Sequence, residues 1–246
     1  LSALYSPFFF AADIYASNSS YKANGYSVPY QLFISISALF YFIIALFLLR
    51  HLLSKYFKDP VVAITLLAIT IGTNLYYYTV YEPGMPHVFN FFLIIAFLYL
   101  TILWYEKPGK KITILLGLTA GLISLIRPTN TLIVFIFLLY GIHQNSNLKN
   151  HFRYLLNRWP DLLLMVFLAF LIWVPQMIYW HMISGNWIFF SYANNESFFF
   201  GHPQILNILF SYKKGWLIYT PIMVFALIGL PMLRKRLSEF FWPMIL

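Results

Sequence analysis

Long apolar runs divided by short basic connections limit this chain to one kind of architecture. The runs are about 15 to 22 residues each, and a helix rising about 1.5 Å per residue needs roughly 20 to cross the hydrocarbon of a bilayer. Stretches such as Leu32 to Leu49 and Leu162 to Val174 do not alternate with period two, which argues against the strands of a membrane barrel. With 61% hydrophobic and 9% charged residues and a mean hydropathy of +0.74, the 246-residue chain carries more apolar surface than a soluble domain can hide. An all-α, polytopic transmembrane helix bundle is expected, integral to a membrane and forming one domain over residues 1–246.

Seven spans are expected: Pro29 to Leu49, Val61 to Val80, Val88 to Tyr105, Ile112 to Ile126, Thr129 to Ile142, Asp161 to Trp180 and Trp216 to Leu233. The cations test this threading, because cytoplasmic connections are the Lys- and Arg-rich ones. Alternate connections hold Arg50, Lys55 and Lys58; Lys107, Lys110 and Lys111; Lys149, Arg153 and Arg158; and Arg234, Lys235 and Arg236, twelve of the sixteen Lys and Arg residues. The other connections, with the segment before Pro29, hold Lys22, Arg127, Lys213 and Lys214. One kinked helix over Ile112 to Ile142 would put two basic clusters on opposite sides, so two short helices with a turn at Arg127-Pro128 are favoured. Gly117 and Gly121 have the GxxxG spacing that lets a neighbouring helix approach closely.

This parity puts residues 1–28, as a juxtamembrane segment, and the 181–215 loop on the outer face. The second contains Trp187, Phe189, Phe190, Tyr192, Phe198, Phe199 and Phe200 among Asn194, Asn195, Glu196 and His202, with a short interfacial helix expected over Ile205 to Tyr212. Leu1 opens directly on apolar sequence and Phe240 to Leu246 reads as the start of another run, so the chain reads as a fragment cut at both ends, without the charged n-region of a signal peptide.

On that outer side Asp13, Lys22, Glu82, His87, Arg127, Asn130, Glu196, His202, Lys213 and Lys214 are expected to converge. Ionisable groups beside hydrocarbon are costly unless paired or facing water, so Glu82, His87 and Arg127 read as site residues or as interfacial side chains reaching for water. Glu82 and His87 flank Pro83, Gly84 and Pro86, a stiff turn on which a carboxylate suits a general base and an imidazole suits an anionic oxygen. Two such groups fall short of the three or four ligands zinc takes, and no metal or other cofactor is expected. Arg127 presents a fork that fits phosphate oxygens, and Lys213-Lys214 precedes the last span at headgroup depth. A lipid-phosphate ligand or simple anchoring to anionic headgroups fits both points. The sequence lacks a GxSxG elbow, a Walker loop, an HExxH pair and a dinucleotide fingerprint. The cysteine-free chain has no disulfide, the sequons Asn18-Ser19-Ser20 and Asn195-Glu196-Ser197 carry no weight, and topology explains the basic balance without a nucleic acid.

Several stretches, in order, resemble polytopic glycosyltransferases of the GT-C superfamily, the class of protein O-mannosyltransferases and lipid A aminoarabinose transferases. They are SPFFFAADIYA, YEPGMPHVFNFF, GLTAGLISLIRPTN, NWIFFSYANNESFF and KKGWLIYTPI. The resemblance implies transfer of a sugar from a polyprenyl-phosphate donor to a glycan, lipid or protein acceptor at the outer face of a bacterial inner membrane. It also implies Arg127, Lys213 and Lys214 at the donor phosphate, Glu82 and His87 at the catalytic rim, and Asn130, Trp187, Tyr192 and Glu196 at the sugar or acceptor. The superfamily's acid is expected in the first outer loop, where Asp13 is the only acid here. Its apolar context, Phe10-Ala11-Ala12-Asp13-Ile14-Tyr15, reads as an amphipathic helix, and a base upstream of residue 1 is the alternative. A transporter or a non-catalytic lipid-sugar binding protein is the competing function, though no matched pair of interrupted helices is expected from the sequence.

Overall fold

The computed structural model describes residues 1–142, 147–189, 201–213 and 215–245, and these fold as helices with no strand among them. Helix α1 is Ser2–Ser17 and α2 Val28–Leu53; α3 is Asp59–Gly72 and α4 Leu75–Val80; α5 is His87–Glu106 and α6 Lys110–Ile126. A 3₁₀ helix, Pro128–Ile133, leads into α7, Val134–Leu139. Then follow α8 Leu148–Asn157, α9 Trp159–Ser184, α10 Ile205–Phe210, α11 Trp216–Tyr219, α12 Met223–Arg236 and α13 Ser238–Ile245. By length and composition, α2, α5 and α9 are long and apolar enough to cross a membrane.

Two of the expected spans are broken, and a third ends at its expected turn, each for a local reason. Val61 to Val80 stops at Gly72, where Thr73 turns extended and its hydroxyl bonds the Ile69 carbonyl at 2.6 Å before α4 restarts. Arg127 is extended, as a residue before proline tends to be, so α6 ends there. Thr220 before Pro221 interrupts Trp216 to Leu233 in the same way, between α11 and α12. The breaks at Gly72 and Ile222 meet: a Cβ at Gly72 would stand 2.9 Å from the Ile222 side chain. Two interrupted helices therefore touch at their breaks.

Helix α5 is the axis of the bundle. Trp104 is fully buried on it, and its Nε1–H donates to Thr113 Oγ1 of α6 at 3.1 Å, fixing the register of an antiparallel pair. Around it Leu93, Phe97, Leu116, Ile123, Ile133, Phe137 and Leu155 form the main core. Helix α2 runs parallel to α5: Tyr41 meets Phe89, His51 meets Tyr99, and Lys55 pairs with Glu106 at 3.5 Å. After Arg127 the chain reverses and brings Phe137 back to the Trp104 ring, as two short helices require and one kinked helix does not. The 3₁₀ stretch helps a short segment make the return, because it rises about 2.0 Å per residue against about 1.5 Å in an α-helix.

These pairings gather the four basic clusters at one end of the bundle. Tyr140 and Leu52 pack there on Phe240, just after the Arg234 to Arg236 cluster, and Tyr154 of α8 meets Trp104. Helix α1 lies antiparallel to α2, with Ala12 and Ala16 buried near Tyr30. Its outward face is Phe9, Phe10, Ile14 and Tyr15, so it is apolar on both sides rather than amphipathic as the sequence context implied.

The GxxxG spacing has its physical partner in α9, which runs parallel to α6. A Cβ on Gly117 would lie 2.8 Å from the backbone of Met165, and one on Gly121 would lie 2.9 Å from that of Ala169. Ser124 Oγ accepts from Trp173 Nε1 at 2.9 Å one turn further on. Backbone cannot swing aside as a side chain can. Gly121→Val should therefore lower stability by about 1–3 kcal/mol, read as a lower unfolding midpoint in detergent, whereas Gly84→Val, in open space, should move it far less. Equal shifts would disprove the close approach of α6 and α9.

Candidate functional site

The turn between α4 and α5 is held by aromatic side chains on both sides. Met85 N–H donates to the Glu82 carbonyl at 3.0 Å, which closes the turn through the two prolines. From α4, the Tyr77 hydroxyl donates to Glu82 Oε1 at 2.9 Å, and the Tyr78 ring stacks on the His87 imidazole with centroids 3.8 Å apart. From α1, the Tyr5 hydroxyl donates to the Gly84 carbonyl at 2.5 Å while its ring stands edge-on to Phe89. Burial pushes the Tyr5 phenol up to about 12, so it remains a neutral donor well above physiological pH. The one hydroxyl leaves Glu82 with acceptor capacity for a ligand.

Arg127 joins this turn electrostatically. Its positive charge and the negative charge of Glu82 both act on the half-buried His87 imidazole. The register of α5 and α6 explains why. Counting 14 residues from Trp104 back to Asn90, and 14 from Thr113 forward to Arg127, moves about 21 Å the same way along both helices. Arg127 therefore stands level with Asn90. The Asn130 N–H donates to the Arg127 carbonyl at 2.8 Å, so the 3₁₀ turn ties these two positions together.

Other sequence candidates lie apart from this group. The Asp13 carboxylate accepts from the Tyr30 hydroxyl, a contact that locks α1 to α2, and it is eight residues, about 12 Å, along α1 from Tyr5. Trp187 stacks on His181 at 4.3 Å beyond the end of α9, where Gly185 takes the left-handed conformation at φ +74°. Lys213 is exposed between α10 and α11, where the Tyr219 hydroxyl bonds the Tyr212 carbonyl at 2.9 Å. Lys214, Tyr192 and Glu196 lie outside the described residues. Among the described residues no three His, Asp or Glu side chains converge as metal ligands, and Glu82 with His87 supplies two.

The helices around the site differ in height. Helix α2 begins 13 residues before Tyr41, the residue that meets Phe89, so its start projects roughly 15 Å past His87. Helix α9 continues 11 residues past Trp173, the partner of Ser124, and projects about 7 Å beyond the same level. Both α2 and α9 thus extend past the level of His87 at this end of the bundle. A shallow depression at Tyr154, Asn157, Arg158, Pro160 and Asp161 belongs to the opposite, basic end.

Sequence reasoning missed Asn90. It is 7% exposed, one turn below His87, and among the described residues its Oδ1 has no hydrogen-bond partner; on the same helix Thr101 Oγ1 is buried and likewise without one among those residues. A carboxamide inside the otherwise apolar opening of α5 was the available signal. An unsatisfied buried acceptor costs about 1–3 kcal/mol, so the site holds polarity that the fold alone does not use. Asn90→Leu should therefore raise the unfolding midpoint of the ligand-free protein in detergent. A lower midpoint would show that the carboxamide has a structural partner. Comparison of the chain with protein families, with curated proteins and with solved structures returns no match.

Proposed function

We propose that this chain is the membrane domain of a glycosyltransferase that moves a sugar from a polyprenyl-phosphate donor to a hydroxyl acceptor outside a bacterial inner membrane. The observation that carries this reading is that Glu82, His87 and Arg127 stand within electrostatic reach of one another at the end of the bundle remote from the basic loops, where the reading sets a donor recess. By the positive-inside rule that end is the outer one. In this reading the chain crosses seven times: α2, α5 and α9 as whole helices, and α3 with α4, α6, the 3₁₀ helix with α7, and α11 with α12 as short or broken crossings. The sequence resemblance to the GT-C superfamily supports the same assignment.

The reaction follows from the charges at the recess. An acceptor hydroxyl attacks the anomeric carbon from the face opposite the phosphate, and Glu82 removes its proton. The bond from the anomeric carbon to the phosphate oxygen breaks with inversion, and the lipid phosphate leaves with the bonding pair. Arg127 lies where a guanidinium can hold that phosphate as its charge grows, and His87 beside it offers a second donor. Lys213 and Lys214 remain candidates for the donor phosphate, while Asn130, Trp187, Tyr192 and Glu196 would meet the sugar or acceptor.

One observation favours transport as a second reading. The interruptions at Gly72 and Ile222 meet, and paired broken helices are a feature of solute pathways. Incubation of the full-length protein with a radiolabelled polyprenyl-phosphate sugar distinguishes the readings. Transfer to an acceptor is the expected result; binding without transfer means a lipid-sugar carrier, and solute flux alone in proteoliposomes means a transporter.

Two variants test the roles. A hydrogen bond to a charged group is worth about 1.5–3 kcal/mol, so Arg127→Ala should weaken donor binding about 10- to 100-fold. Glu82→Gln should lower turnover by about a hundredfold or more with a smaller effect on donor affinity, as removal of a general base does. Unchanged kinetics in both would remove this site assignment.

A further inference from the structure

Helix α8 divides into three faces, and only one of them is used by the protein. His151, Tyr154 and Leu155 face the bundle: a His151 ring nitrogen lies 2.9 Å from the Leu138 carbonyl oxygen, Tyr154 meets the Trp104 ring, and Leu155 is buried in the main core. Leu148, Phe152 and Leu156, spaced four residues apart, form a stripe on the adjoining face that is 55%, 44% and 67% exposed. Lys149, Asn150, Arg153 and Asn157 form the third face, all exposed. At about 100° per residue the two cations border the apolar stripe on its water side. Within Leu148–Asn157 there is no acidic residue to offset them.

The helix begins with a local cap, since Asn147 Oδ1 accepts from Lys149 N–H at 3.0 Å, so the ten residues are ordered as a helix rather than a linker. It is followed immediately by Trp159, the exposed first residue of α9. Since α9 is long and apolar enough to cross a membrane, its first turn fixes where the lipid boundary falls, and the α8 stripe continues from that boundary. Arg158 is engaged otherwise: it pairs with Asp161 at 3.4 Å and lies 5.9 Å from the ring centres of Trp104 and Tyr154. Lys149 and Arg153 are thus the cations left facing outward on α8.

We propose that α8 is an interfacial helix that seats Leu148, Phe152 and Leu156 among the acyl chains of one leaflet and holds anionic phospholipid headgroups with Lys149 and Arg153. An amphipathic helix of this kind buries its apolar face about 5–10 Å below the headgroup boundary, and its cations draw anionic lipid to it. The occupant is the leaflet in which α9 is embedded, because a single residue, Arg158, joins α8 to the exposed Trp159 that opens α9. The proposal rests on the membrane reading of the bundle and not on sugar transfer.

The absence of cysteine makes the test direct. Single nitroxide labels at Leu156→Cys, Asn150→Cys and Phe170→Cys, in the full chain reconstituted into phosphatidylcholine bilayers, are read by relative collision with oxygen and with a water-soluble nickel chelate. Phe170, exposed midway along α9, reports the membrane itself. Leu156 should collide mainly with oxygen and Asn150 mainly with nickel. If Phe170 reports lipid while Leu156 is as open to nickel as Asn150, or is shielded from both probes by protein, the proposal fails and the membrane reading stands. If Phe170 also reports water, the membrane reading falls with it.

Adding phosphatidylglycerol to the bilayer should move the Leu156 label deeper. In the Lys149→Gln, Arg153→Gln double variant that shift should be lost while the depth in phosphatidylcholine is kept. A shift that survives the double variant, or no shift in the unsubstituted cations, overturns the assignment of headgroup binding to Lys149 and Arg153.

Discussion

The pairing of α5 with α6 through Trp104 and Thr113 sets the vertical scale against which every other element is placed. A buried indole N–H without a partner would be costly, so this one bond permits few alternative registers. From it follows the level of Arg127 with Asn90. The neighbours are then fixed by their own contacts with the pair: α2 by Tyr41 and Lys55, α9 by the two glycines of α6, and α7 by the return of Phe137 to the same tryptophan. The site is a product of that register rather than of any one loop. The turn supplies Glu82 and His87, but Arg127 reaches them only because α6 has the length to end there.

Much of this was legible in the sequence where a residue has a single physical solution. Basic residues avoid the outer loops of membrane proteins, so the alternation of Lys and Arg gave the direction of each helix, and the packing does bring the four clusters to one end. Arg127-Pro128 favoured a helix stop because proline disfavours the α conformation in the residue before it, and the charge parity required a turn there. Gly117 and Gly121 had room for another backbone and received one. The three long helices needed only length and apolarity.

What the sequence hid depends on tertiary partners or on small energies. Gly72-Thr73-Asn74 is tolerable within an apolar helix, and the break appears only with Thr73 bonding back to Ile69 and with Ile222 filling the gap beside it. The tie of Asp13 to Tyr30, 17 positions on, is not readable from the local sequence. The aromatic tethers of the turn are similarly non-local, since Tyr5 is 79 positions from Gly84. Asn90 carried a signal, an amide among apolar neighbours, but only the structure reveals that its oxygen lacks a partner.

The unequal heights of the helices have a consequence for the surrounding lipid. Helix α5, at 20 residues, matches a bilayer of ordinary thickness, whereas α2 and α9 have 26 each. Their starts and ends coincide at the cationic end, so the surplus length emerges on one side only. Along α1 that surplus is clad in Phe9, Phe10, Ile14 and Tyr15. In a bilayer crossed by these helices, acyl chains wetting such a wall would climb it, and the leaflet beside it would thicken into a local meniscus while the other leaflet stayed flat.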